Sequence, residues 1–168
     1  MPEKIETKIA DYYLRFAQEQ DVELILEFIK DLARYEKMLD DVSATKELLT
    51  ETLFEKEVAE VIIAEYKDEA VGFAVFFHNM STFLAKPGLY IEDIFIKPEM
   101  RGKGFGKTIF AYIANLAKER NCGRLEWSCL DWNQPAIDFY ESIGAEALDE
   151  WIGFRLTEDK IKDLAQEF

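Results

Sequence analysis

Residues 89–108 read L-Y-I-E-D-I-F-I-K-P-E-M-R-G-K-G-F-G-K-T. No other stretch restricts the fold so much. Branched and aromatic residues at 89–96 have strand character, and Pro98 ends the run. Three glycines at 102, 104 and 106 then permit a tight turn. Beyond them Phe105, Ile109, Tyr112, Ile113 and Leu116 follow a 3.6-residue period, which predicts a helix to about Arg120. Strand, glycine turn and helix in immediate succession call for an α/β core.

Other segments fit around that unit. Tyr12 to Phe16 reads as a first strand. A helix starts at Asp21, with Val22, Ile25, Leu26, Ile29, Leu32 and Ala33 on its apolar side. Thr45 caps a second helical segment reaching Phe54. Val58–Tyr66 and Ala70–Phe77 form a hairpin about Lys67-Asp68-Glu69. Leu125–Leu130 is a further strand, and Asn133, Pro135 and Gly144 bracket a helix. A last strand is expected near Ile152–Leu156, before an amphipathic tail with Ile161, Leu164, Ala165 and Phe168. A meander followed by strands alternating with helices indicates a mixed sheet in one domain, residues 1–168.

The charge narrows the ligands. Twenty Lys and Arg against 34 Asp and Glu leave −14, which disfavours a phosphate backbone and favours small cations. Cys122 and Cys129 form neither a metal-ligand spacing nor a disulfide framework, and one histidine, His78, supports no nucleophilic triad. No metal site is expected. The charged N-terminus lacks a signal peptide's apolar stretch and no run suits a membrane span, so a cytoplasmic protein is expected.

Glycine with cations after a strand suggests an anion-holding turn. A nucleotide P-loop requires a glycine at 101, where arginine stands, and the dinucleotide fingerprint requires one at 107, where lysine stands. Arg101, Gly104 and Gly106 satisfy Arg-x-x-Gly-x-Gly instead. Backbone amides at the helix start, with Arg101, Lys103 and Lys107 alongside, suit a pyrophosphate. A glycine turn without a ligand has the same composition.

The run I-E-D-I-F-I-K-P-E-M-R-G-K-G-F-G-K resembles the acetyl-CoA signature of the GNAT N-acetyltransferases. L-D-W-N-Q-P-A-I-D-F-Y-E-S-I-G-A is similar to the second conserved block of that superfamily. L-A-R-Y-E-K-M, closing the first helix, resembles the diamine acetyltransferases, the spermidine/spermine group. The resemblance implies the GNAT fold, a mixed, mostly antiparallel sheet with a splayed strand pair flanked by helices. It implies acetyl-CoA as cosubstrate, with the pyrophosphate on the loop Arg101, Gly102, Lys103, Gly104, Phe105, Gly106 and Lys107. Ile94, Ile96 and Asn133 would hold the rest of the cofactor. Glu92 would be the base, its apolar strand raising its proton affinity, and Tyr140 the acid at the departing thiolate. Strand alternation separates Glu92 from Asp93 unless the strand bulges there. Structurally paired carboxylates and a core tyrosine would leave the same residues in place.

Tyr35 and Glu36 match positions where the diamine enzymes gather a cationic amine, and Phe154 one where an aromatic lines the pocket; Asp93, which with Glu92 matches their acidic pair, is assigned to the substrate cation. At Met80 to Ala85 the chain departs from the polyamine enzymes: Ser81, Thr82 and Phe83 stand where an acid and a tryptophan are expected. That stretch, with L-D-W-N, is similar to the thialysine-preferring branch. The expectation is a small primary amine, thialysine-like compounds and short diamines ahead of spermine. The resemblance also implies a homodimer, with Trp151, Ile152, Phe154 and Phe168 available to it. A P-loop hydrolase, a non-catalytic CoA-binding module, and a GNAT enzyme acting on a protein N-terminus or an aminoglycoside are the alternatives.

Overall fold

The computed structural model describes residues 2–168. Six strands form one sheet in chain order: β1 (Ile5–Glu6), β2 (Tyr12–Phe16), β3 (Glu60–Tyr66), β4 (Glu69–Ser81), β5 (Lys86–Ile96) and β6 (Leu125–Trp127). Neighbours are antiparallel except β5 and β6, which run parallel. The mixed, mostly antiparallel sheet is therefore as expected. Contacts divide the chain into two compact units, one ending at Ser128 and holding the whole sheet, the other spanning Cys129–Phe168.

In the first unit the period of α1 (Val22–Tyr35) seats Ile25 and Phe28 on Phe73, Val75 and Phe95 of the sheet. Phe28, absent from the expected apolar side, is 1% exposed and stacks on Phe73 at 5.3 Å. The Thr45 hydroxyl accepts the Leu48 N–H at 3.2 Å and starts α2 (Lys46–Thr50), which continues as a wider π turn over Glu51–Glu55. Between β3 and β4, Lys67 and Asp68 both adopt positive φ, the conformation that matches strand twist in a two-residue turn. Across the sheet from α1 lies α3 (Phe105–Glu119), which buries Phe105, Ile109, Phe110, Ile113 and Leu116. Phe110 takes the inward place expected of Tyr112, which is half-buried.

One buried ion cluster pins β2. Arg15 donates through both terminal nitrogens to Asp21, at 2.7 and 2.9 Å, and through Nε to Glu65 at 2.7 Å. Hydrogen bonding to Asp21 holds the guanidinium charged, against a smaller opposing cost of burial.

In the second unit α4 spans Gln134–Ser142 and α5 spans Glu158–Ala165; Gly144, at φ 87°, follows α4 as expected. None of its residues is buried. The strand expected near Ile152–Leu156 does not form: the segment is without regular structure, with Trp151 77%, Ile152 78% and Phe154 95% exposed. Strand-like composition makes a strand only where another edge supplies hydrogen bonds.

Arg15→Met leaves Asp21 buried without its counter-charge. It should lower unfolding free energy by about 3 kcal/mol in urea titrations followed by circular dichroism.

Candidate active site

The site grows from one irregularity in β5. Val75 of β4 lies opposite Asp93, whereas the next residue, Phe76, lies opposite Ile91. Glu92 is the extra residue of a β-bulge. The two carboxylates therefore escape strict alternation, which is the condition on which both can serve one site.

The bulge also redirects the backbone. Before it, the Leu89 N–H reaches the Arg124 carbonyl on the β6 side at 3.1 Å. After it, the Lys97 N–H reaches Val71 on the β4 side at 2.9 Å. In an unbroken strand two odd-numbered residues would point the same way. The shift leaves Ile94 and Ile96 to present their amides and carbonyls toward the other edge. There β6 has ended: its pairing with β5 runs from Leu89 to Ile91 and stops at the bulge. An open strip of β5 backbone follows.

Asp93 faces the α1 side, where Val75 opposite it and Phe95 two residues on join the core. Burial pushes its carboxyl up to about 6, with Glu92 and Glu36 adding like-charge repulsion. Glu36 closes α1, and burial raises its proton affinity too. Three acids thus meet at the end of α1. Glu92 itself is exposed because the bulge turns it out, so the burial expected for it falls on its neighbour Asp93.

Past β5 the chain makes a short turn at Pro98–Met100 and enters the glycine loop. Gly102 and Gly104 sit at φ 76° and 82°, values that side chains strain to adopt. Thr108 is the first helical residue whose N–H is taken, by the Gly104 carbonyl at 3.0 Å. The amides of Phe105, Gly106 and Lys107 have no intrahelical acceptor. Gly106 has ordinary helical geometry, and a Cβ there would meet only Ile96 Cγ1 at 3.9 Å. Neither backbone nor packing explains a glycine that costs helix stability. The position is open to close approach by an outside group, and amides without an intrahelical acceptor suit an anion.

Arg101 is engaged within the protein. Its Nε donates to the Ile96 carbonyl at 2.9 Å, and its guanidinium carbon lies 4.6 Å from the Tyr35 ring centre and 5.6 Å from that of Phe95. It fastens the loop to the strand and to α1. Lys103 lies 5.4 Å over the Tyr66 ring.

The remaining expected residues are dispersed. Ser81 is buried and its hydroxyl accepts the Leu84 N–H at 3.2 Å, which gives it a role in the hairpin turn; Thr82 is exposed. In the second unit Asn133 precedes α4, where its carbonyl accepts the Ala136 and Ile137 amides at 3.1 Å; Tyr140 lies half-buried in the helix beside Phe139. Phe154 lies in the exposed apolar segment. Among the described residues no group of three or more His, Cys, Asp or Glu is arranged to hold a metal, and no helix is long and apolar enough to cross a membrane.

The model of the acetyltransferase (GNAT) family matches residues 26–145. The chain belongs to the GNAT family. It is an acetyltransferase, of a family that uses acetyl-CoA as cosubstrate. It is 35% identical over 164 residues to a thialysine N-epsilon-acetyltransferase of Bos taurus, covering 90% of this chain and 96% of that one. A segment of 91 residues, 54% of this chain and 40% of the relative, is 48% identical to an L-ornithine N5-acetyltransferase of Arabidopsis thaliana. Among solved structures, an integron cassette protein from V. cholerae superposes with a TM-score of 0.78 at 27% identity, covering 94% of this chain and 99% of that one. The resemblance to the diamine acetyltransferase group agrees with these relatives.

Gly106→Ala should separate the two demands on that position. Urea denaturation should show a gain approaching about 1 kcal/mol, while calorimetry shows weaker CoA binding.

Proposed function

We propose that the protein transfers the acetyl group of acetyl-CoA to a small primary amine, with thialysine-like amino acids and short diamines preferred over spermine. The observation that carries this reading is the meeting of Glu36, Glu92 and Asp93 beside an open β5 edge and a diphosphate-sized set of free amides. Three acids suit an ammonium group, and Ser81 and Thr82 add no further carboxylate for a second charge. The names of the bovine and Arabidopsis relatives agree in class: each marks an acetyltransferase of an amino acid carrying a side-chain amine.

Acetyl-CoA supplies the activated acyl carbon. On the protein's side, the amides of 105–107 with Lys103 and Lys107 hold the diphosphate, and Ile94 and Ile96 offer backbone groups to the pantetheine arm. Tyr35, Glu36 and Asp93 hold the ammonium group; Phe154 is assigned to the amine on its sequence match alone. Glu92 takes one ammonium proton, through a water because its carboxyl is turned outward; the amine nitrogen then bonds to the acyl carbon as the carbon–sulfur bond breaks, and the surplus proton on the acylated nitrogen passes to solvent, from which Tyr140 is reprotonated. Tyr140 returns a proton to the thiolate; its assignment, like that of Asn133 to the cofactor, rests on the sequence motif. The family match runs across residue 128, which supports a single functional domain. A second copy of the chain covering Trp151, Ile152, Phe154 and Phe168 accounts for a 40-residue unit without a buried side chain of its own. A cytoplasmic setting suits the free thiols of Cys122 and Cys129.

A panel of amines with acetyl-CoA and thiol detection tests the substrate class. Spermine turning over best, with thialysine inert, refutes it. Glu92→Gln should lower kcat about a hundredfold. The raised proton affinity of Asp93 favours a second reading, in which Asp93 is the base: Asp93→Asn, and not Glu92→Gln, would then abolish turnover.

The same group sets an acid limb. Protonation removes the negative charge that holds the amine, so kcat/KM for the amine should fall about tenfold per pH unit below pH 6. Asp93→Asn should remove that limb.

A further inference from the structure

Beneath the glycine loop, Tyr12 of β2 is wholly buried, at 0% exposure. Its ring lies face to face with that of Phe105, centres 4.0 Å apart and planes 5° from parallel. Its hydroxyl donates to the Phe105 carbonyl at 3.1 Å. Tyr66, opposite Tyr12 in the β2–β3 register, packs on the same phenylalanine at 5.1 Å.

The Phe105 carbonyl and the Gly106 N–H are the two ends of one planar peptide unit. A donor fixed on the carbonyl fixes that plane and polarises the amide at its far end. Gly106 N–H is one of the free amides of the first helical turn, at the position where a glycine has no explanation within the chain. We propose that Tyr12 is a positioning residue for the acyl-donor site, holding the Phe105–Gly106 peptide so that the Gly106 amide is aimed at the diphosphate. This rests on the reading of the loop as the CoA site.

Tyr12 has no path to the ligand itself, being sealed under Phe105. Burial also raises its hydroxyl's pKa, so the group stays a neutral donor throughout the working range. The carbonyl it binds is available to the Ile109 amide by helix geometry, so a helix without the hydroxyl keeps its own bond. The hydroxyl is thus dispensable for the helix and useful for its first amides.

Tyr12→Phe keeps the ring and its stacking and removes only the donor. The dissociation constant of CoA by calorimetry and the KM for acetyl-CoA should each rise threefold to tenfold, an estimate of about one hydrogen bond. The KM for the amine and the saturated kcat should stay within about twofold, a split that general loosening of the fold would not produce. A Tyr12→Phe protein that binds CoA as tightly as the wild type overturns the proposal. Should that variant fail to fold, 3-fluorotyrosine at position 12, a stronger donor of nearly the same shape, should bind CoA more tightly than tyrosine; equal or weaker binding overturns the proposal. Absence of any CoA heat with the wild-type protein would instead overturn the site itself.

Discussion

The site depends on one residue too many in β5. Regular pairing would give β5 one carboxylate on each face, with backbone groups at 94 and 96 spent on β4. Inserting Glu92 changes both at once. Two acids come together near the end of α1, and the polar edge of the strand turns outward where β6 stops. A strand edge without a partner is ordinarily a liability. Here its open stretch is short, ends at Pro98, and is partly occupied by the guanidinium of Arg101 on the Ile96 carbonyl. What remains is a row of donors and acceptors, which the proposed reading gives to the amide-bearing arm of a CoA.

Charge is divided sharply across this small region. Acids gather at the C-terminal end of α1, where the dipole is already unfavourable to them, and burial adds a further cost that appears in the raised proton affinities of Asp93 and Glu36. The loop, by contrast, gathers Arg101, Lys103 and Lys107 at a helix N-terminus, equally unfavourable for cations. In the proposed reading an ammonium answers the acids and a diphosphate answers the loop. Arg101, stacked on Tyr35, joins the two mechanically.

Features set by local chemistry were legible in the sequence. The threonine cap of α2, the turn at Lys67-Asp68, the glycine after α4 and the strand–glycine–helix order all depend on residues near one another in the chain. The bulge was legible only as a condition, because Leu89–Ile96 alternates equally well with or without an extra residue; register belongs to the pair β4–β5. The missing strand at Ile152–Leu156 failed for the same reason, since composition announces a strand but not its partner. Arg101 shows a third limit: its motif gives no hint of Tyr35, 66 residues earlier, against whose ring the guanidinium rests. Tyr12 gave no signal at all, because a tyrosine in a strand looks the same whether its hydroxyl meets water or a distant carbonyl.

Stability and function are separated spatially in the first unit. Gly102, Gly104 and Gly106 each cost backbone entropy, and the acids at the bulge repel one another. The elements around them compensate. The aromatic stack of Tyr12, Phe105 and Tyr66 lies directly beneath the loop, and the Arg15 cluster ties β2 to the residue preceding α1 and to β3. β2 therefore anchors the loop through Tyr12 and the start of α1 through Arg15. The second unit has no equivalent: none of its residues is buried, and the apolar segment with Trp151, Ile152 and Phe154 is bare.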